Sequence, residues 1–205
     1  MKITPESSAL VVSVPSPAED GWTTLTDAER EAQTVAESFR GARWLKGPDA
    51  SLSSIRQNMR GVSVFHFAGH AVASPERDGL ALAERDPLTQ RARLLNAQTL
   101  RSGDAAGLEL AVLSACQTGS RPDAANSGNA GLAKALLHAR VPHVITSRWN
   151  IDSAETAVLM KQFYARLLTG EEVANSLRTA ELALASQPTS AHPYYWAAFE
   201  LQGVR

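Results

Sequence analysis

His70 and Cys116 are the two side chains here whose combination does chemistry that neither does alone, and Cys116 is the single cysteine of the chain. A thiolate attacks a carbonyl carbon, and an imidazole carries protons to and from the reacting groups. A lone Cys with a His brought beside it is therefore the minimal equipment for nucleophilic catalysis. Both residues close apolar runs rich in β-branched and aromatic residues, VSVFHFAGHA and LELAVLSACQTG. Runs of this kind read as interior strands of a parallel sheet. In open α/β sheets, reactive groups gather in the crevice outside the carboxyl ends of such strands. The expectation is that each residue stands just past the end of its strand and that the two meet. The competing reading is a buried core cysteine beside an unrelated loop histidine, and spacing alone leaves both open.

The elements that would position them alternate between strand and helix signals, the pattern of an α/β doubly wound fold. Ala9 to Val14 reads as a first strand, stopped by Pro15 and Pro17. Thr26-Asp27-Ala28-Glu29 has the form of a capping box opening a helix of about 14 residues, and Gly41 closes it. Arg43 to Lys46 is a short second strand. Ser51 to Met59 is a helix with Leu52, Ile55 and Met59 on one face. Val62 to Ala68 is the third strand. The polar, charged stretch from Ser74 to Arg93 reads as an excursion over the surface. Leu108 to Ser114 is the fourth strand. The loop near 117–130, rich in Gly, Asn, Ser and Asp, is expected to be mobile and irregular. Gly131 to Ala139 is helical, His143 to Trp149 is a fifth strand, and Asp152-Ser153-Ala154-Glu155 opens a long helix ending at Gly170. Another helix covers Glu171 to Ala185, and WAAFELQG supplies a sixth strand. The 205 residues read as a single domain, 1–205.

Composition narrows the function classes. With 20 basic against 21 acidic residues, no excess charge points to nucleic acid or a membrane surface. No apolar run reaches the roughly 18 residues of a membrane span, and the N-terminus lacks the layout of a signal peptide. One cysteine excludes an intrachain disulfide and fits a reducing cytoplasm. Five His and one Cys occur without C-x-x-C or H-E-x-x-H spacing, so no metal is expected. Phosphate-binding Gly-rich loops are absent as well, and no cofactor is expected.

The strings VFHFAGHA, LAVLSACQTG, AGLAKALLHARVPHVITSRWNID, VLMKQFYARLLTG and HPYYWAAFELQG occur in the order seen in CHAT domains. These resemble the caspase- and separase-like cysteine peptidases (clan CD) found mainly in bacteria, and the resemblance runs from about Ala9 to Gly203. It implies a caspase-like, three-layer α/β/α sandwich with a mostly parallel central sheet of about six strands. It also implies an endopeptidase dyad of His70 and Cys116, with an oxyanion hole from the backbone N–H groups of Cys116 and Ala71. The position of Ala71 is usually Gly in the family; Ala keeps the N–H but loses free access to positive φ.

By the same resemblance, Ser114, two before the nucleophile, lines the primary specificity pocket and Trp149 the substrate groove. Arg148, Asn150 and Asp152 are the next candidates, Arg148 standing where most relatives carry an apolar residue. Arg148 would receive an acidic substrate side chain bidentately, or it simply faces solvent. Asn150 stands where separase-like sequences carry Asp. Asp152 would hold a basic residue or, the better reading, cap the helix that follows. Trp149 lines the groove or packs in the core. His66, on the side of Val64 and Ala68, reads as a core histidine, and Tyr194, Tyr195 and Trp196 as packing for the last strand. His138 and His143 are assigned no role.

CHAT regions commonly follow helical repeats, so the chain reads as a compact member or as a piece of a longer protein. Regulation by a sensor protein in trans, and bacterial antiviral defence through cleavage of a gasdermin-like or other signalling protein, are settings implied by the resemblance. Three functions stay open: an endopeptidase with a protein substrate, a non-catalytic caspase-like scaffold, and a thiol hydrolase of non-peptide esters.

Overall fold

All six residues of β1 (Ala9–Val14) are buried, so this strand has to be covered on both faces. That requirement produces the layers. Ala9 and Val11 pack on one side of the sheet; Leu10, Val12 and Val14 pack on the other, as the period of two along a strand demands. A computed structural model describes residues 2–74, 76–117, 130–149 and 153–203, with the backbone alone described for Cys116, Gln117, Ala130 and Ser153. The loop expected near 117–130 lies outside the described residues except at its two ends. Asn150 and Asp152 lie outside them as well.

The sheet runs β2 (Arg43–Lys46), β1, β3 (Val64–Ala73), β6 (Leu110–Gln117), β7 (His143–Ser147), β8 (Phe199–Gly203). Neighbours in this path pair in parallel, apart from the antiparallel β7–β8 edge. One face is covered by α1 (Thr26–Glu37), α4 (Ser153–Leu167) and α5 (Val173–Ala185), through residues such as Val35, Phe163 and Leu177. The other is covered by α2 (Leu52–Met59) and α3 (Ala130–His138), through Ile55, Met59 and Leu136. Each such side chain removed from water contributes about 2 kcal/mol. This is the three-layer α/β/α sandwich expected from the sequence, with six strands along the main path.

Several expectations need correction. The stretch Ser74–Arg93 is not an irregular excursion. It carries β4 (Asp78–Arg85), which pairs antiparallel with the end of β3 and with β5 (Ala92–Leu95). Leu80 and Leu82 are fully buried, so this hairpin belongs to the core. The capping box at Thr26 does not form: the N-cap is Leu25, without a side-chain bond, and the helix ends at Glu37 rather than near Gly41. Ser51 does cap α2, accepting from the Ser54 N–H. The HPYYW segment forms a short helical turn, α6 (Pro193–Trp196), before β8. Tyr195 and Trp196 pack against the core there, while Tyr194 is exposed.

A buried charge fixes the back of α2. The Asp104 side chain is fully buried and accepts from Arg56 Nε at 2.6 Å, from Arg60 Nε and Nη2 at 3.1 and 2.8 Å, and from the Arg101 N–H at 2.9 Å. Burial pushes its carboxyl upward, but the arginines and the Arg101 N–H outweigh this and hold it below the usual range. Removing one partner of a buried pair leaves the other uncompensated. Asp104→Ala is expected to lower stability by about 3 kcal/mol, read as the shift in a urea unfolding curve.

Candidate active site

β3 and β6 lie side by side at the centre of the sheet and pair over eight registered positions, from Val64↔Leu110 to His70↔Cys116 and Ala71↔Gln117. Residues in register on parallel neighbours occupy the same face of the sheet. The flanking strands stop short of this point. β1 last pairs with β3 at Val14↔Gly69, and β7 last pairs with β6 at Leu113↔Thr146. His70 and Cys116 thus share one level of the sheet beyond the reach of both neighbours. They stand inside their strands rather than past their ends, because β3 continues to Ala73 to receive β4. Gly69 is needed for this placement: a Cβ there would lie 2.7 Å from the Val14 carbonyl oxygen.

The His70 ring is oriented from one side. Its Nε2 lies 2.8 Å from the Thr23 carbonyl oxygen. A carbonyl only accepts, so Nε2 carries the proton and donates it. Nδ1 is left with its lone pair and has no hydrogen-bond partner among the described residues. Trp22 packs edge-on against the ring, with centroids 4.7 Å apart, and the histidine is fully buried. Burial pushes its pKa below 6.5, and the carbonyls of Thr23 and Pro15 counter only part of that shift. The ring is therefore neutral near pH 7 and offers an unprotonated Nδ1.

Neither Trp22 nor Thr23 was singled out from the sequence. Thr23 acts through its backbone, which leaves no mark on residue type. Trp22, an aromatic in the otherwise polar EDGWTT loop, was the available signal.

The remaining candidates are placed as follows. Ala71 is fully buried and flanked by Leu80 on β4 and Gln117 on β6. Ser114 is buried two residues before Cys116 on β6. Arg148 is exposed, yet its Nε lies 3.5 Å from a Glu200 carboxylate oxygen and its guanidinium sits over the Trp149 ring at 5.8 Å. Half-buried Glu181 also feels this charge; desolvation nonetheless raises its pKa to about 7. Arg148 thus already has acidic company. Trp149 packs against the core and donates from Nε1 to the Tyr194 carbonyl at 2.9 Å. Ser147 donates to the Ala115 carbonyl at 2.7 Å, tying the end of β7 to the residue before the cysteine. His66 is indeed a core residue: Nδ1 is 3.1 Å from the Tyr164 hydroxyl, and Nε2 is 3.1 Å from Glu31 Oε1, within ion-pair distance but outside hydrogen-bond geometry.

A family model described as "CHAT domain" matches residues 2–204. Among curated proteins, tetratricopeptide repeat protein 28 of Homo sapiens is 26% identical over 214 residues, covering 89% of this chain and 8% of its own length. The Mus musculus protein of the same name is 25% identical. The chain thus spans under a tenth of these relatives. Among solved structures, the Saccharomyces cerevisiae separase–securin complex matches with a TM-score of 0.54 at 11% identity, over 98% of this chain and 12% of the other. The Arg-specific cysteine proteinase gingipain R matches with 0.52 at 13% identity, over 98% and 46%. Likeness at this level concerns the fold: a mostly parallel sheet between helices, as in these caspase-like proteins.

Two pH effects follow from the shifted groups. His70 binds its proton less tightly folded than unfolded, so it adds nothing above pH 6.5 and costs stability as pH falls below that value. Thermal unfolding from pH 7.5 to 5.5 is expected to show a smaller acid-side decline in His70→Gln than in the parent. Glu181 has the opposite sign, since its folded pKa of about 7 lies above the usual 4.5 and its ionisation opposes folding as pH rises. Glu181→Gln is expected to raise the unfolding midpoint at pH 8 and to leave it nearly unchanged at pH 4.

Proposed function

The chain belongs to the CHAT domain family, and on that premise we propose that it is a cysteine endopeptidase acting through His70 and Cys116. The observation that carries the proposal is the in-register placement of these two residues beyond the reach of β1 and β7, with His70 held so that Nδ1 keeps its lone pair. The Cys116 thiol gives its proton to Nδ1, and the thiolate adds to the scissile carbonyl. The tetrahedral oxyanion is met by the N–H groups of Cys116 and Ala71. Collapse expels the amine with the proton returned from His70, leaving a thioester. Water, deprotonated by the same nitrogen, clears the thioester and restores the thiol. A histidine whose pKa is lowered gives its proton up readily, which suits the step that releases the amine.

Ser114, Arg148 and Trp149 supply the groove for the residue before the cut in this reading, with Asn150 and Asp152 beside them. The nearness of Glu200 to Arg148 supports a small or apolar preference over an acidic one. The reading extends to a protein substrate such as a gasdermin-like or other signalling protein. It extends likewise to activation by a sensor in trans and to a bacterial, cytoplasmic setting in defence. No helix among the described residues is long and apolar enough to cross a membrane.

Complete burial of His70 favours one second reading, a non-catalytic scaffold of caspase-like form. As an enzyme, the chain needs the cover over the ring to move before a substrate reaches it.

A diverse peptide library treated with the purified chain and read by mass spectrometry separates the two. Cuts made by the parent and absent with Cys116→Ala and His70→Ala are the expected result, and the residue preceding them defines the pocket. Absence of cuts together with failure of a thiol-reactive probe to label Cys116 favours the scaffold. Turnover of esters without amides points to a thiol hydrolase.

A further inference from the structure

The segment from Pro15 to Leu25, between β1 and α1, forms a closed strap. Its neck is fastened by the Leu25 N–H donating to the Pro15 carbonyl at 3.0 Å and by Ser16 and Thr24 hydroxyls 2.9 Å apart. The strap lies against the β4–β5 hairpin, where the Ala18 N–H donates to the Leu82 carbonyl at 3.0 Å. At its centre, Glu19 accepts from Arg77 Nη1 at 3.3 Å, from Arg77 Nη2 at 3.2 Å and from the Ala92 N–H at 3.1 Å. Arg77 Nη2 also donates to the Ala92 carbonyl at 2.9 Å, and Arg91 Nε lies 3.9 Å from Glu19. Only about a fifth of the Glu19 and Arg77 side chains is exposed. Such a forked, shielded pair is far more constraining than an open surface contact. Three residues along, Trp22 rests among Ala81, Ala92, Leu94 and Val72 with its ring edge on His70. Thr23 then presents its carbonyl to Nε2.

We propose that Glu19 is a positioning residue for His70: its pairing with Arg77 clamps the strap to the hairpin, which sets the Thr23 carbonyl and thereby the ring's tautomer. The inference rests on the reading of His70 as the proton carrier of a peptidase. The catalytic groups do not touch Glu19. Its action runs through Arg77, the hairpin and the five-residue path from Glu19 to Thr23. The contacts of the neighbouring Asp20 supply an internal comparison. Asp20 pairs with Arg85 at 3.3 Å on the same strap, but its side chain is 99% exposed, and a pair of that kind constrains nothing.

Long-range 1H–15N correlation spectra of the full chain with labelled histidine, recorded at pH 8, read the tautomer directly. A His70→Gln spectrum identifies the His70 signals among the five histidines. The parent is expected to show His70 protonated on Nε2 alone. Glu19→Ala is expected to show a mixture of Nε2–H and Nδ1–H forms. So is Arg77→Lys, which keeps the charge but loses the fork. Asp20→Ala is expected to match the parent. Peptide cleavage by the two clamp variants should fall in kcat by about tenfold or more, with KM little changed. His70 remaining wholly Nε2–H in folded Glu19→Ala or Arg77→Lys overturns the proposal, even if cleavage falls. A tautomer mixture in these variants, with neither cleavage nor thiol-probe labelling of Cys116 in the parent, sustains the positioning role and removes the peptidase reading. An unchanged tautomer with Cys116-dependent cleavage does the reverse.

Discussion

The pairing of β3 with β6 is the constraint on which the rest of this molecule depends. It joins two long buried runs of the chain in one register, and both strands are covered on both faces. Side chains alternate with a period of two along a strand, so a slip of one residue would send every core residue to the wrong layer. Phe65 and Phe67 would then face α1 and α4, and His66 would face α2 and α3. The packing energy of two layers therefore holds the register. That same register brings His70 level with Cys116, so a hydrophobic sorting problem sets the alignment of two polar residues inside the strands.

Most of this was legible in the sequence because buried parallel strands announce themselves by continuous apolar runs. β1, β3 and β6, and with them the placement of His70 beside Cys116, rest on that signal. The helix around Met59 rests instead on the helical spacing of Leu52, Ile55 and Met59. The β4–β5 hairpin was missed for a related reason. Ala81 and Leu82 are both buried, the former beneath Trp22 and Val72. The alternation that marks a half-exposed strand is blurred there, and the flanking charges suggested a surface loop. Thr26 could not serve as a cap because Leu25 takes that position; a motif fixes which atoms are available, not where the helix begins. The orientation of His70 was invisible, since a backbone carbonyl supplies it.

Fold and chemistry separate at this point. A caspase-like sandwich is shared with proteins identical to this chain at little more than a tenth of the aligned positions. What makes a dyad of two residues is local: a tautomer, a lone pair and a register. The strap over His70 belongs to that local layer. It is built from a loop whose polar composition says little, yet it holds the Nε2 side of the imidazole and leaves Nδ1 without a hydrogen-bond partner among the described residues.

The borders of the sheet carry a different consequence. β2, β5 and β8 are its outer strands, each of only four or five residues. Each also bears charge: Arg43 and Lys46 on β2, Arg93 on β5, Glu200 on β8. A bare strand edge is a template on which another chain can add itself, and brevity and charge are the usual deterrents. Resistance to aggregation is thus written along the rim, so that an eight-stranded sheet with a strongly apolar centre ends in edges that discourage further growth.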